Sequence, residues 1–370
     1  MEYPHPSRNS IGGALPWLIG IVLGLVPLAG SGSTDEVSPP PSTTLPKYER
    51  PPRKVTVGTL VGGYVIYSLE LEARLRRMDE YLSEMAGRTT RLKPAAALDL
   101  AVFPEYFIGH AGDQTSQRAV TMAEVEDALG ALARKYHCYL VAPLVLREGG
   151  EPGYFSNAAL LFDRQGKRTG IYRKVHPVGG HDSRVLEGGI KPGGEFPVFD
   201  CDFGRLGIQI CFDMVYDDGW RALARRGADV VALPSASPET VHPSVYSLEY
   251  QFYVVSATPR DHAAVFNPLG MIEAEVSTEG AVLVDQFDLS FEVLHWDADL
   301  EEGAAPRRKF GDKIGSHYYR DQDMGIFWSN DPRRSVASLL GTFGLSPADL
   351  ELKRLEKVQD GLRGGPVDSR

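Results

Sequence analysis

Apolar and polar positions alternate along Gly204-Arg205-Leu206-Gly207-Ile208-Gln209-Ile210-Cys211-Phe212-Asp213. Leu206, Ile208 and Ile210 share one face, and this period of two predicts a strand. Asp217 to Arg226 reads as a short helix closed by Gly227, and Asp229 to Pro234 as the next strand. Upstream, Val55 and Val57 open a strand near Lys54. Leu71, Leu75, Met78, Leu82 and Met85 recur in steps of four and three, the stripe of a helix lying on a sheet. Leu98 to Glu105 is a strand stopped by Pro104, Met122 to Tyr136 a helix and Tyr139 to Pro143 a further strand. Asn157 to Phe162 and Gly170 to Val175 flank the turn Asp163-Arg164-Gln165-Gly166, a hairpin whose second arm carries Lys174. Val245 to Phe252 reads as a helix. Tyr253 to Ala257, Ala264 to Phe266 and Ala281 to Val284 read as strands, with a turn at Asn267-Pro268-Leu269-Gly270. From Phe291 the pattern loosens. Arg307 to Asp331 shows no period, and Ser346 is expected to cap a last helix with Pro347 at its first position. Strands and helices alternating in this way predict a layered α/β fold.

The start of the chain follows other rules. Ile11 to Ala29 is uncharged and largely apolar, follows Arg8, and ends in Ala29-Gly30-Ser31-Gly32-Ser33. That is the layout of a secretory signal, at a length near the lower limit for spanning a bilayer. Pro16, Pro27 and the glycines favour cleavage over a permanent anchor. Residues 1–30 are therefore expected to be a signal peptide or membrane anchor, and 31–53, rich in Pro, Ser and Thr, a linker. Residues 54–290 form the expected catalytic domain, and 291–370 a C-terminal extension packing on the core or on a partner subunit. The body is expected outside the cytoplasm: periplasmic, extracellular or held at the outer face of the membrane. Membrane contact is expected only through an uncleaved N-terminal segment.

Composition narrows the chemistry. A chain of 370 residues suits one large domain with appendages. A formal net charge of -10 argues against nucleic-acid binding, which needs a concentrated basic face. Three cysteines, Cys138, Cys201 and Cys211, fit neither a disulfide framework nor a zinc ribbon. Cys138 and Cys201 read as small apolar packing groups.

Cys211 differs by its position at the carboxyl end of a strand, at a turn opening toward a helix. A helix N-terminus and a nearby cation are expected to lower its thiol pKa and supply a thiolate nucleophile. Glu105 and Lys174 also end strands. Singly, each has a plain structural reading: a buried cysteine as filler, Glu105 as a solvated loop charge, Lys174 as a surface lysine.

Together their motifs say more. Phe103-Pro104-Glu105, Tyr172-Arg173-Lys174-Val175-His176 and Gly207-Ile208-Gln209-Ile210-Cys211-Phe212-Asp213 resemble the three ordered motifs of the nitrilase, or carbon–nitrogen hydrolase, superfamily. Arg221, Gly227-Ala228-Asp229, Pro234 and Asn267-Pro268-Leu269-Gly270 extend the resemblance over roughly Lys54 to Leu289. It implies a four-layer αββα sandwich that usually pairs with a second subunit, and a catalytic set of Glu105, Lys174 and Cys211 with no metal and no cofactor. The family often keeps a second glutamate before a Pro-Gly pair; Glu187, ahead of Lys191-Pro192-Gly193, fits that place, with Glu195 as its rival. The chemistry of amide hydrolysis suits the set: Cys211 as nucleophile, Glu105 as proton shuttle, and Lys174 with the backbone N–H of Phe212 for the oxyanion. Tyr106, Asp213, Tyr216 and Ser237 are the expected lining of the substrate pocket.

The sequence also departs from the family. Tyr216-Asp217-Asp218 stands where many members show Phe-Pro-Glu. Tyr246 and Tyr250 stand around the retained Glu249, and Thr258 and Asp261-His262-Ala263 replace the usual later motif. Phe212-Asp213 after the cysteine resembles the amidase and carbamoylase branches, whereas nitrile-cleaving members typically show Trp-Glu. The expected substrate is therefore a small amide or N-carbamoyl compound. Three other functions stay open. One is a metal hydrolase using His176, His181, Asp182 and Asp213, although their spacing matches no helical His-x-x-x-His site. Another is an acyltransferase passing the thioester to an amine or lipid at the membrane, and the third a non-catalytic binding module.

Overall fold

Twelve strands, in chain order, build the body: β1 (Lys54–Leu60), β2 (Leu100–Val102), β3 (Tyr139–Glu148), β4 (Tyr154–Phe162), β5 (Arg168–Arg173), β6 (Val198–Cys201), β7 (Gly204–Ile208), β8 (Val230–Pro234), β9 (Tyr253–Ala257), β10 (Ala263–Phe266), β11 (Ile272–Val276) and β12 (Val282–Asp288). They sort into two six-stranded mixed sheets, ordered β12-β1-β2-β3-β4-β5 and β11-β10-β9-β8-β7-β6. The computed structural model describes residues 45–92, 95–110, 118–149, 153–179 and 184–367. The expected leader or anchor and linker residues 31–44 lie outside them. Among the described residues no helix is long and apolar enough to cross a membrane.

The strands are apolar on both faces because both faces are covered. Along β3, Val141 points into the space between the sheets, in one buried cluster with Val57, Val102 and Leu161 and, from the other sheet, Leu206, Ile208, Ala232 and Val255. Its neighbours Leu140 and Ala142 point outward onto two helices, α1 (Leu71–Thr89) and α2 (Met122–Tyr136), and meet Met78, Leu82, Met85, Val125 and Leu129. Thr121 and Glu124 start α2 with reciprocal side-chain to backbone bonds, so pattern and cap agree on its first residue. On the far side, α3 (Asp217–Arg225) and α4 (Val241–Tyr250) cover Val231, Leu233, Val254 and Phe266 with Trp220, Leu223 and Tyr246. The layers are thus helix, sheet, sheet, helix. Gly207 is needed where α3 crosses the nucleophile's strand, because a Cβ there would lie 2.8 Å from Leu223 Cδ1.

Two expectations about the ends need correction. The aperiodic stretch after Phe291 is folded: β13 (Phe291–His295), β14 (Ile314–Tyr319) and β15 (Met324–Ser329) form a third sheet ordered β13-β15-β14. With α5 (Ala304–Phe310), α6 (Val336–Leu340) and α7 (Ala348–Arg363) it encloses a small core of Leu294, Leu300, Ile314, Phe327, Val336, Leu339 and Leu340. Phe291, Val293 and Ile326 join it to the inter-sheet core. The cap of α7 is Pro347, one residue later than expected. The linker also ends sooner than its composition implies. Residues 45–53 lie along the body: Tyr48 packs on the small core, Lys47 Nζ donates to Gln251 O at 2.8 Å, and Arg50 Nη1 lies 2.8 Å from Asp229 Oδ1.

Candidate active site

Glu105 follows β2, Lys174 follows β5, and Cys211 opens a single 3₁₀ turn (Cys211–Val215) after β7. Two come from one sheet and the third from the other, so the sandwich itself brings them together at one end of its strands. Glu105 and Lys174 are each 1% exposed. Lys174 Nζ lies 2.8 Å from Glu105 Oε1 and 2.6 Å from Glu187 Oε1. A buried ammonium flanked by two carboxylates holds its charge: burial would lower Lys174, but Glu105, Cys211 and Glu187 outweigh it and keep the ammonium above the usual lysine range.

Neutral groups complete the carboxylates' shells. Asn157 Nδ2 donates to Glu105 Oε1 at 2.7 Å and to Glu187 Oε2 at 3.0 Å. The Ala236 N–H donates to Glu105 Oε2 at 3.0 Å, and the Tyr106 hydroxyl to Glu187 Oε2 at 2.7 Å. Glu187 Oε1 also accepts the Val178 N–H at 2.9 Å. Each carboxylate is fixed at both oxygens, so neither drifts when a substrate arrives.

Cys211 is partly exposed. The sequence-based expectation of a lowered thiol pKa is overturned: burial, then the Glu105 carboxylate, push the thiol up to about 12. Lys174, the Ser235 hydroxyl and the Ala236 N–H pull the other way without prevailing. A five-residue turn carries too little dipole to reverse this. The resting group is a thiol beside a carboxylate, and it needs a base before it can attack.

The backbone at the site is unusual. Cys211, Tyr106 and Glu187 adopt φ of +48°, +59° and +42°, a left-handed region that side chains other than glycine rarely enter. Asp213 accounts for part of this. Its carboxylate accepts the Ile210 N–H at 2.9 Å, the Tyr172 hydroxyl at 2.7 Å and the His176 N–H at 2.7 Å. It ties the cysteine turn to the lysine arm as a clasp, with both oxygens engaged.

The other expected residues divide. Tyr106 stands beside Glu187, as above. Phe212 follows the sulfur on the same turn, its ring edge-on to Tyr216 at 5.7 Å. Tyr216 is 42% exposed and stacks on His176 at 3.9 Å, on the rim. Ser237 meets Ser235, donating its N–H to Ser235 Oγ at 3.0 Å and accepting the hydroxyl at 2.8 Å. Glu195 is exposed, and it is Glu187 that reaches Lys174. His181 and Asp182 lie outside the described residues, and among those described no three His, Cys, Asp or Glu side chains gather as metal ligands. Sequence reasoning missed Asn157, Tyr172, Ser235 and Ala236. Only Tyr172 left a signal, two residues before Lys174.

The model of the carbon-nitrogen hydrolase family matches residues 57–292, most of the body just described. The chain belongs to that family. Among curated carbon-nitrogen hydrolase relatives, "Omega-amidase NIT2" of Homo sapiens is 28% identical over 208 residues, 50% of this chain and 71% of that one. A carbon-nitrogen hydrolase from Helicobacter pylori superposes with a TM-score of 0.56 at 18% identity, covering 64% of this chain and 90% of that chain. Saccharomyces cerevisiae Nit3, a nitrilase-superfamily member, gives 0.54 at 23% identity, covering 70% and 95%. At these identities the structures share the fold with this chain, and the family supports a cysteine-dependent mechanism.

Proposed function

We propose that this protein hydrolyses non-peptide C–N bonds of small amides or N-carbamoyl compounds through a thioester on Cys211. The observation that carries the proposal is the buried chain Glu105–Lys174–Glu187, at 2.8 and 2.6 Å, set beside a thiol whose pKa burial and Glu105 raise. Glu105 takes the thiol proton as Sγ attacks the carbonyl carbon. Lys174 and the Phe212 N–H hold the oxyanion of the tetrahedral intermediate, and loss of one such donor costs about 100-fold or more. Glu105 then gives its proton to the leaving nitrogen, the C–N bond breaks, and amine or ammonia departs. Water, deprotonated by Glu105, cleaves the thioester and releases the acid; the regenerated thiol regains its proton.

Phe212-Asp213 after the nucleophile, and the similarity to a relative named an omega-amidase, support amides over nitriles. The test is ammonia release from a panel of small amides and N-carbamoyl compounds by the wild type and by Cys211→Ala. Turnover of at least one panel member by the wild type alone supports the proposal, and equal rates in both proteins refute it.

Two further proposals go with this one. Val241, Val245 and Leu248 on α4 are 65%, 53% and 44% exposed, an apolar face that supports pairing with a second copy. Export rests on the apolar stretch after Arg8 and the small-residue run that closes it.

A further inference from the structure

Arg74 lies on the sheet side of α1, 2% exposed, and among the described residues its hydrogen bonds go to backbone carbonyls. A buried guanidinium without a counter-ion is costly unless its donors are filled. Here backbone carbonyls fill them. Nε donates to Leu69 O at 2.8 Å, and Nη2 to Tyr67 O at 2.8 Å. Nη1 serves Tyr106 O and Phe107 O, each at 3.1 Å, and Gly109 O at 2.7 Å. Burial, then the neighbouring Arg118, outweigh Tyr67 and the Glu70 carboxylate and bring its pKa down to about 10, which leaves it charged at neutral pH.

Those five carbonyls belong to two loops, and both loops reach the candidate active site. The Tyr67 hydroxyl donates to the backbone oxygen of Glu105 at 3.0 Å. The Tyr106 hydroxyl donates to Glu187 Oε2, whose other oxygen holds Lys174. The backbone at Tyr106 is strained, with φ of +59°. Such a conformation persists only where its surroundings over-determine it.

We propose that Arg74 is a positioning residue for the hydrolysis: its guanidinium pins the backbone at Tyr67 and at 106–109, and so sets where Glu105 and the Tyr106–Glu187 pair stand against Lys174. Only a planar fork of five N–H donors reaches both loops; a lysine carries three donors on one atom. The role rests on the proposed hydrolase chemistry, and its test separates the two.

Amide hydrogen exchange is measured for the wild type, Arg74→Ala, Tyr106→Phe and the double variant. The Val178 and Ala236 amides report the site, because they donate to Glu187 and Glu105 and not to any group that Arg74 holds. Loss of the staple should speed exchange at both by about tenfold, with β10, in the other sheet, unchanged. Tyr106→Phe should speed Val178 alone, and the double variant should match Arg74→Ala. Turnover of an amide found by the panel should fall about 100-fold, mostly in kcat. Guanidinium at millimolar concentration should restore exchange and turnover in Arg74→Ala, entering by a cavity of about 190 Å³ lined by Arg74, Gly109 and Arg118. Unchanged exchange at Val178 and Ala236, or exchange that rises equally across β10, overturns the inference. Should Arg74→Ala fail to fold, Arg74→Lys is scored on the same two amides by the same criterion. A wild type that turns over no panel member would sink the hydrolase proposal alone, since the exchange measurement needs no substrate.

Discussion

The Tyr172 hydroxyl lies 2.7 Å from Asp213 Oδ2, and this contact crosses from the lysine arm of one sheet to the cysteine turn of the other. The same carboxylate accepts the Ile210 and His176 N–H groups, so one side chain fixes both the residue before the nucleophile and the chain just beyond Lys174. Asp213→Asn keeps the shape but forces one amide hydrogen toward a donor. Hydrogen bonds to a charged group contribute about 1.5–3 kcal/mol, so a loss of about 2–4 kcal/mol is expected in urea unfolding, with turnover down at least tenfold. Tyr172→Phe, which removes a single bond, should cost less. Unaltered stability and turnover in Asp213→Asn would remove the clasp from the account.

Glu105→Gln should move two quantities in opposite directions. Removing the carboxylate charge that helps hold Cys211 near pKa 12 should let the thiolate form at lower pH. Removing the base should slow turnover by about 100- to 10,000-fold. Thiolate absorbance against pH, with Cys211→Ala as blank, reads the first, and steady-state kinetics the second. A thiol that ionises at higher pH in the variant would mean Glu105 does not face the sulfur.

His176 adds a pH dependence of stability. The Asp213 carboxylate, 3.3 Å from its Nδ1, raises its pKa above the ordinary 6.5, opposed by burial and helped by Asp218. A raised folded-state value favours the protonated form in the native protein. The stabilisation is therefore complete below about 6.5 and lost as pH rises through the higher native value. Denaturant melts should show His176→Gln weaker than wild type in acid, with the gap closing as the pH is raised. A gap that widens with pH would contradict the assignment.

The strap at 45–53 should matter for stability and not for chemistry. Tyr48 packs against the small core, and Arg50 pairs with the buried Asp229. Tyr48→Ala should cost about 1–3 kcal/mol from lost apolar burial, and Arg50→Ala should also destabilise by leaving Asp229 without its cation. The denaturation midpoint measures both, and kcat should stay at the wild-type value.

What could be read from the chain follows the strength of its physical signals. The helix Met122–Tyr136 matches end to end because its apolar stripe and the Thr121–Glu124 cap agree, and β9 matches because Tyr253–Ala257 is a buried apolar run. The strands β6, β11, β13, β14 and β15 were missed: all but β15 lie at sheet edges, and in β6, β11 and β14 half-exposed positions blur the alternation. Charged site residues announced themselves through motifs. Asn157, Ser235 and Ala236 did not, because a neutral side chain or a backbone N–H acquires its role only when the fold brings a carboxylate or a sulfur to it. The raised thiol pKa was illegible for the same reason: burial and the nearness of Glu105 are properties of the folded site.

The central claim is that Cys211 carries the acyl group as a thioester. Enzyme quenched in acid during turnover of a small amide should gain the mass of the acyl group on the peptide containing Cys211, and hydroxylamine should remove it. An unmodified Cys211 peptide during steady turnover, together with full activity in Cys211→Ala, would contradict the claim.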